Sequence, residues 1–328
     1  MRTHGLRFLA FLACAGMGAA TATGAALLDL AGQRVLFLGD SITHAGGYIR
    51  FIEYELLRRF PDRKFDLLGL GLSSETVSGL SEKEHPFPRP CVHERLGRAL
   101  AAVKPQVVVA CYGMNDGIYH PQSPERLQAY QDGMRRLIAD ARAAGAAVIL
   151  LTPPPFDPLP VAKKLRPDGP GADFGYTHPY EHYDRVLADY AKWLPALAAP
   201  DVRVIDLNGP MSAYIAQQRA ANPSFHFSGD GIHPDETGHL LMARLFLRGI
   251  GLPVEDGDLA ARLAAIHADP VYPLVVKRGQ TRSNGWRDFV GYTREKKVKT
   301  ESVDAAEQQA AELEKQIAAA LRTPLPAP

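Results

Sequence analysis

From residue 34 onward, short apolar runs alternate with longer stretches in which apolar residues recur every three or four positions. Residues 35–38 read as a first strand, and 48–60 as a helix with Ile49, Ile52, Leu56 and Leu57 on one face. Residues 65–70 are a second strand, and 92–103 a helix carrying Leu96, Leu100 and Val103 at helical spacing. Residues 106–112 are almost continuously apolar, as expected of a central parallel strand covered on both faces. A long helix over 124–144 ends at Gly145, and the strand 146–152 is stopped by Pro153-Pro154-Pro155. A helix over 180–197, a strand over 202–207 and a core helix over 236–247 complete the rhythm. This alternation predicts an α/β fold with a central parallel sheet.

Two stretches break the pattern. Residues 154–178 are rich in Pro, Gly and charge and are too long for a plain connection, which predicts a lid or rim loop. After about residue 255 the strand pattern ends. A short helix is expected over 259–266, then an irregular segment to 298 whose Trp286, Phe289 and Tyr292 pack onto the main domain. A helix follows over 302–321, capped by Ser302 or Asp304. The expected division is 1–25 as a processed leader, 26–255 as the main domain and 256–328 as a C-terminal extension, irregular then helical.

The leader reading rests on Arg2 and Arg7, a short apolar core over 8–17 and small-residue cleavage sites around Ala20-Thr21-Ala22 and Thr23-Gly24-Ala25. It predicts export to the periplasm or the medium, with no stable membrane span after processing. Lipid attachment at Cys14 is the weaker alternative, because Phe11-Leu12-Ala13 matches poorly. Removing the leader takes away two bases and no acid, so the formal charge of +1 over 328 residues becomes −1. No basic excess points to nucleic acid. Cys91 and Cys111 remain; export permits their pairing, but two cysteines without a dense framework are expected to be free.

The chemistry gathers where strands end. Gly39-Asp40-Ser41 closes the first strand, Gly113-Met114-Asn115-Asp116 follows the third, and Asp230-Gly231-Ile232-His233-Pro234 precedes the last core helix. Open parallel sheets form sites at the carboxyl ends of their strands. A serine, a histidine three residues after an aspartate, and a loop asparagine are the parts of an acyl-transfer site.

On these three blocks the chain resembles the SGNH hydrolases, also called the GDSL esterase/lipase family. The resemblance spans roughly residues 35–250 and implies a three-layer α/β/α flavodoxin-like sandwich. It implies Ser41 as nucleophile, His233 as general base and Asp230 as its partner, with the Ser41 N–H and the Asn115 side-chain amide as oxyanion donors. The chain departs from the family at the second block, where a glycine N–H is the usual third donor. Here Gly69-Leu70-Gly71-Leu72-Ser73-Ser74-Glu75-Thr76 places Ser74 at that point, with Gly71 as the second choice. A serine N–H serves if the backbone there tolerates a Cβ.

Asp40 and Asp116 read as loop-shaping acceptors beside the catalytic positions. With Tyr112, Glu82 and Arg89 they are the candidate substrate-binding residues. Residues 78–95, with His85, Phe87 and Arg89 among prolines, are a candidate substrate-selecting rim, and Tyr119 and His120 candidate pocket walls. Tyr176, His178, His182 and Asp184 match no strong ligand spacing, so no metal is expected, nor any organic cofactor. The expected activity is an exported serine esterase acting on short acyl, chiefly acetyl, esters of carbohydrate. A lipase, lysophospholipase or thioesterase on the same triad, or a non-catalytic glycan-binding scaffold, are the alternatives.

Overall fold

The computed structural model describes residues 28–291 and 302–322. Residues 1–25, Tyr292 and the basic run 294–299 lie outside the described residues. Five strands, β1 (Arg34–Gly39), β2 (Asp66–Gly69), β3 (Val107–Cys111), β4 (Ala147–Leu151) and β5 (Val202–Ile205), form one sheet in the order β2-β1-β3-β4-β5. Every neighbouring pair is parallel. β3 is buried at all five residues, which explains its unbroken apolar run. Helices cover both faces, as in the α/β fold of SGNH hydrolases. α2 (Gly47–Arg59) packs on α7 (Glu236–Gly249), while α3 (Leu96–Val103) packs on α4 (Pro124–Ala143). Among the described residues, no single helix is long and apolar enough to cross a membrane.

The chain differs from its sequence pattern in places that have local causes. The five-residue helix α1 (Ser41–Ala45) is too short to leave a periodic signal. The helix expected over 92–103 opens as a 3₁₀ turn (Val92–Glu94) before α3. α5 (Tyr183–Trp193) tightens into a 3₁₀ turn (Leu194–Leu197), where Pro195 cannot supply an N–H. α6 (Asn208–Ala221) was hidden by Gly209-Pro210, which sits in its first turn, where proline is tolerated.

The larger correction lies past residue 255. The short helix expected over 259–266 is α8 (Leu259–Ala268), but the irregular segment expected after it is instead the twenty-residue α9 (Val271–Val290). The inward face of α9 mixes Val271, Tyr272, Val275 and Trp286 with buried Arg278, Arg282 and Arg287. Arginines on the packed face erase the apolar period that would announce a helix. Trp286 packs inward and donates to Glu307 of α10 (Val303–Leu321), whereas Phe289 is 59% exposed and does not pack as expected. A Cβ at Gly285 would stand 2.4 Å from Ala306 Cβ, so α9 and α10 approach within reach only of glycine. Ser302, not Asp304, caps α10, accepting from the Ala305 N–H. Cys91 and Cys111 are free.

Candidate active site

β1 delivers Ser41 to the carboxyl edge of the sheet through a turn that only glycine permits. A Cβ on Gly39 would stand 2.2 Å from Thr43 Oγ1 and 2.6 Å from the Cys111 carbonyl. Asp40 then caps α1 by accepting the Ile42 N–H at 2.9 Å, which puts Ser41 in the first helical position. Ser41 Oγ lies 2.7 Å from His233 Nε2, and His233 Nδ1 lies 2.7 Å from Asp230 Oδ2. The second Asp230 oxygen accepts from the Ser228 hydroxyl (2.8 Å) and from the Ile232 and His233 N–H groups (2.9 Å each). Gly231, at φ +77°, makes this turn with a backbone that L side chains rarely adopt.

The electrostatics follow from these contacts. Partial burial pushes the Asp230 carboxyl up, but its bonds to His233, Ile232 and Ser228 hold it well below the usual carboxylate range. The bond to Asp230 raises the His233 imidazole above its ordinary value; partial burial opposes this, and the Asp230 and Asp40 charges reinforce it. Nδ1–H donating to Asp230 leaves Nε2 as the basic nitrogen facing the serine.

Ser41, Ser74 and Asn115 line one cavity. Among the described residues neither the Ser41 N–H nor the Ser74 N–H has an acceptor. Asn115 is buried; its Oδ1 accepts from Tyr119 and its Nδ2 donates to the Glu75 carbonyl at 3.2 Å. Those two bonds fix which end of the amide is nitrogen and leave one N–H hydrogen over. Ser74 has φ +69°, the left-handed region where a Cβ costs about 1–2 kcal/mol. Ile118 (φ +46°) and Tyr119 (φ +61°) share that region in the turn after Asn115. Among the described residues, three of the four non-glycine residues in this region thus belong to these two loops, and such strain clusters at functional sites. Ser74→Gly is therefore expected to keep kcat within about two-fold without lowering Tm, since it keeps the N–H and removes the misplaced Cβ. A kinetic and calorimetric comparison with the parent checks this.

A cavity of about 350 Å³ opens over Ser41 and His233, walled by Ser73, Ser74, Asn115, Tyr119 and Ile232 and rimmed by His85, Pro86, Phe87 and Tyr176. Arg89 lines it too, but its guanidinium is committed to both oxygens of Glu82 (2.5 and 2.6 Å) and lies 5.5 Å over the Tyr119 ring. Four other expected substrate contacts turn away from the cavity. Asp40 is buried as the α1 cap, and burial pushes its carboxyl up to about 7. Asp116 is buried under the rim, accepting the Val77 and Ser78 N–H groups at 2.8 Å each, and burial pushes it up to about 6. Tyr112 is buried and donates to Glu75, which Arg95 grips from the other side. Glu82 spends its carboxylate on Arg89. None of the four lines the cavity, and each has at least one polar atom bonded to the protein. His120 packs against Phe174 outside the cavity wall.

Tyr176, His178, His182 and Asp184 do not converge. Tyr176 faces the cavity, His178 lies by Asp173 (3.7 Å), and His182 by Glu181. Ser73 and Ile232 went unnoticed in the sequence. Their only signal was adjacency to Ser74 and His233.

Known proteins share this frame. The model of the GDSL-like Lipase/Acylhydrolase family matches residues 37–241. An acetylxylan esterase of Geobacillus stearothermophilus is 24% identical over 241 residues, covering 67% of this chain and 94% of that one. The structure of a catalytic mutant of the acetylxylan esterase Axe2 from the same organism superposes with TM-score 0.50 at 22% identity, over 69% of this chain and 98% of that one. A gut microbial diltiazem-metabolizing enzyme gives TM-score 0.51 at 22% identity over 69% of this chain; the match spans 48% of that longer protein. At such identities the structures speak for the fold, and the family model speaks for the lineage. The chain belongs to the GDSL-like lipase/acylhydrolase family and is a carboxylic ester hydrolase.

Proposed function

We propose that the protein is an exported serine esterase that removes acetyl groups from carbohydrate through a Ser41 acyl-enzyme. The observation that carries the reading is the unbroken chain Ser41 Oγ–His233–Asp230 at 2.7 Å per link. His233 Nε2 takes the hydroxyl proton as Ser41 Oγ attacks the ester carbonyl. Negative charge then gathers on the carbonyl oxygen, where the Ser41 and Ser74 N–H groups and Asn115 Nδ2 receive it. One such donor is worth on the order of 3 kcal/mol of barrier. The tetrahedral adduct collapses, the C–O bond to the leaving alcohol breaks, and that alcohol leaves with the proton from His233. Water repeats the sequence on the acyl-enzyme, releasing acetate and restoring Ser41.

The acetyl-carbohydrate reading draws support from the cavity and from the name of the acetylxylan esterase relative. A volume of about 350 Å³ is at the small end for ligand clefts and suits an acetyl group with part of a sugar ring. The His85, Phe87 and Tyr176 rings offer a rim on which a sugar face can rest. The test compares p-nitrophenyl esters of rising acyl length with acetylated xylo-oligosaccharides. We expect kcat/KM to fall at least about ten-fold from acetyl to octanoyl and acetylated sugars to be turned over. A preference for octanoyl over acetyl would contradict the reading.

A further inference from the structure

β2 is an edge strand, paired with β1 on one side only. Leu70 and Leu72 direct their N–H groups toward β1, to the carbonyls of Phe37 (2.8 Å) and Gly39 (2.9 Å). By the two-residue alternation of a strand, the carbonyls of residues 65, 67, 69 and 71 point outward. An uncovered row of this kind is a site for unwanted pairing. α9 covers it with arginines. Arg278 donates to the Phe65 carbonyl (3.3 Å), Arg282 to Leu67 (3.3 Å) and Arg287 to Gly71 (3.1 Å). All three are buried, and the first two are also paired with acids: Arg278 with Glu53, Arg282 with Asp66 and Glu307.

The last rung differs from the others because its two carbonyl acceptors lie in the segments that carry Ser41 and Ser74. Arg287 Nε donates to the Gly71 carbonyl and Nη2 to the His44 carbonyl at 2.8 Å. His44 lies three residues after Ser41, and Gly71 three residues before Ser74. The two segments touch backbone to backbone: a Cβ on Gly71 would stand 2.3 Å from the His44 N atom. His44 Nδ1 also lies 3.2 Å from the Gly71 carbonyl. We infer that Arg287, on a helix beyond the last residue matched by the family model, is a positioning residue that sets the spacing between the Ser41 and Ser74 oxyanion donors. The inference rests on the oxyanion reading proposed above. It makes α9 part of the working enzyme as well as a cover for the sheet edge. Donor geometry acts on the charged transition state and little on the neutral ester, so kcat carries the effect and KM does not.

The test uses the full chain with p-nitrophenyl acetate, with Tm measured on each variant. Arg287→Met is expected to lower kcat about ten- to a hundred-fold with KM within about two-fold. Arg287→Lys, whose ammonium can serve one carbonyl at a time, should give an intermediate kcat. Arg278→Met, at the far end of the ladder, should lower Tm and leave kcat unchanged. Wild-type kcat in Arg287→Met overturns the inference, as does an equal kcat loss in Arg278→Met. Should Arg287→Met fail to fold, wild-type kcat in Arg287→Lys overturns it. Ser41→Ala separates the two levels. If that variant is inactive while Arg287 variants keep full kcat, this inference alone fails; if it stays active, the oxyanion reading fails with it.

Discussion

Ser41→Ala is expected to lower kcat on p-nitrophenyl acetate by about 10⁴-fold or more, and His233→Ala to a similar degree. The two losses should not add. Without Ser41 Oγ there is no acyl-enzyme for His233 to serve, and without His233 Nε2, 2.7 Å away, the hydroxyl stays protonated near neutral pH. The double variant should therefore sit close to either single one. Both positions face the cavity, and neither side chain supports the core, so Tm should move by a few degrees at most. Steady-state rates with calorimetry on the same preparations check both statements. A double variant as far below the singles as their product would indicate two independent contributions.

Asp230→Asn should cost about 10³–10⁴-fold in kcat and also reshape the pH profile. As a carboxylate, Asp230 accepts the Nδ1 proton and holds the reactive tautomer. An amide can present N–H there and favour the wrong one. The sign of the pH effect follows from the same bond. His233 acts as a base only when neutral, so activity is lost as pH falls through its folded pKa. The bond to Asp230, reinforced by the charges of Asp230 and Asp40, places that pKa above 6.5. The acid limb of kcat/KM should thus lie above pH 6.5 in the parent and move to lower pH in Asp230→Asn. An unmoved limb would mean that another group governs the profile. Asp40 is the one to suspect, since burial pushes it to about 7.

How much of this was legible in the residues depended on where the determinants lay. Strands announce themselves when both faces are apolar, as in Val107–Cys111, and the three chemistry-bearing loops follow such runs. Local sequence therefore pointed to Ser41, Asn115, Asp230 and His233, and the structure brings Ser41, Asn115 and His233 to one cavity, with Asp230 bonded to His233. Partner choice was not local. Nothing near Tyr112 shows that its hydroxyl is taken by Glu75, nor near Arg89 that its fork is closed by Glu82, so both looked available to a substrate. Ser74 was read from its place in the loop, but its φ of +69° is imposed by the fold and cannot be seen in a serine. α9 was lost for the opposite reason to β3: its packed face carries charge, and the carbonyls that make that charge tolerable belong to a strand two hundred residues earlier.

The central claim is that Ser41 Oγ is the attacking atom, and covalent trapping tests it most directly. The native enzyme is treated with a fluorophosphonate, digested, and its peptides weighed. We predict a single phosphonyl adduct on the peptide containing Ser41, forming in step with loss of esterase activity and at least about a hundred-fold more slowly in His233→Ala. Complete loss of activity with the adduct on another residue, or full activity in an enzyme stoichiometrically modified at Ser41, would contradict the account.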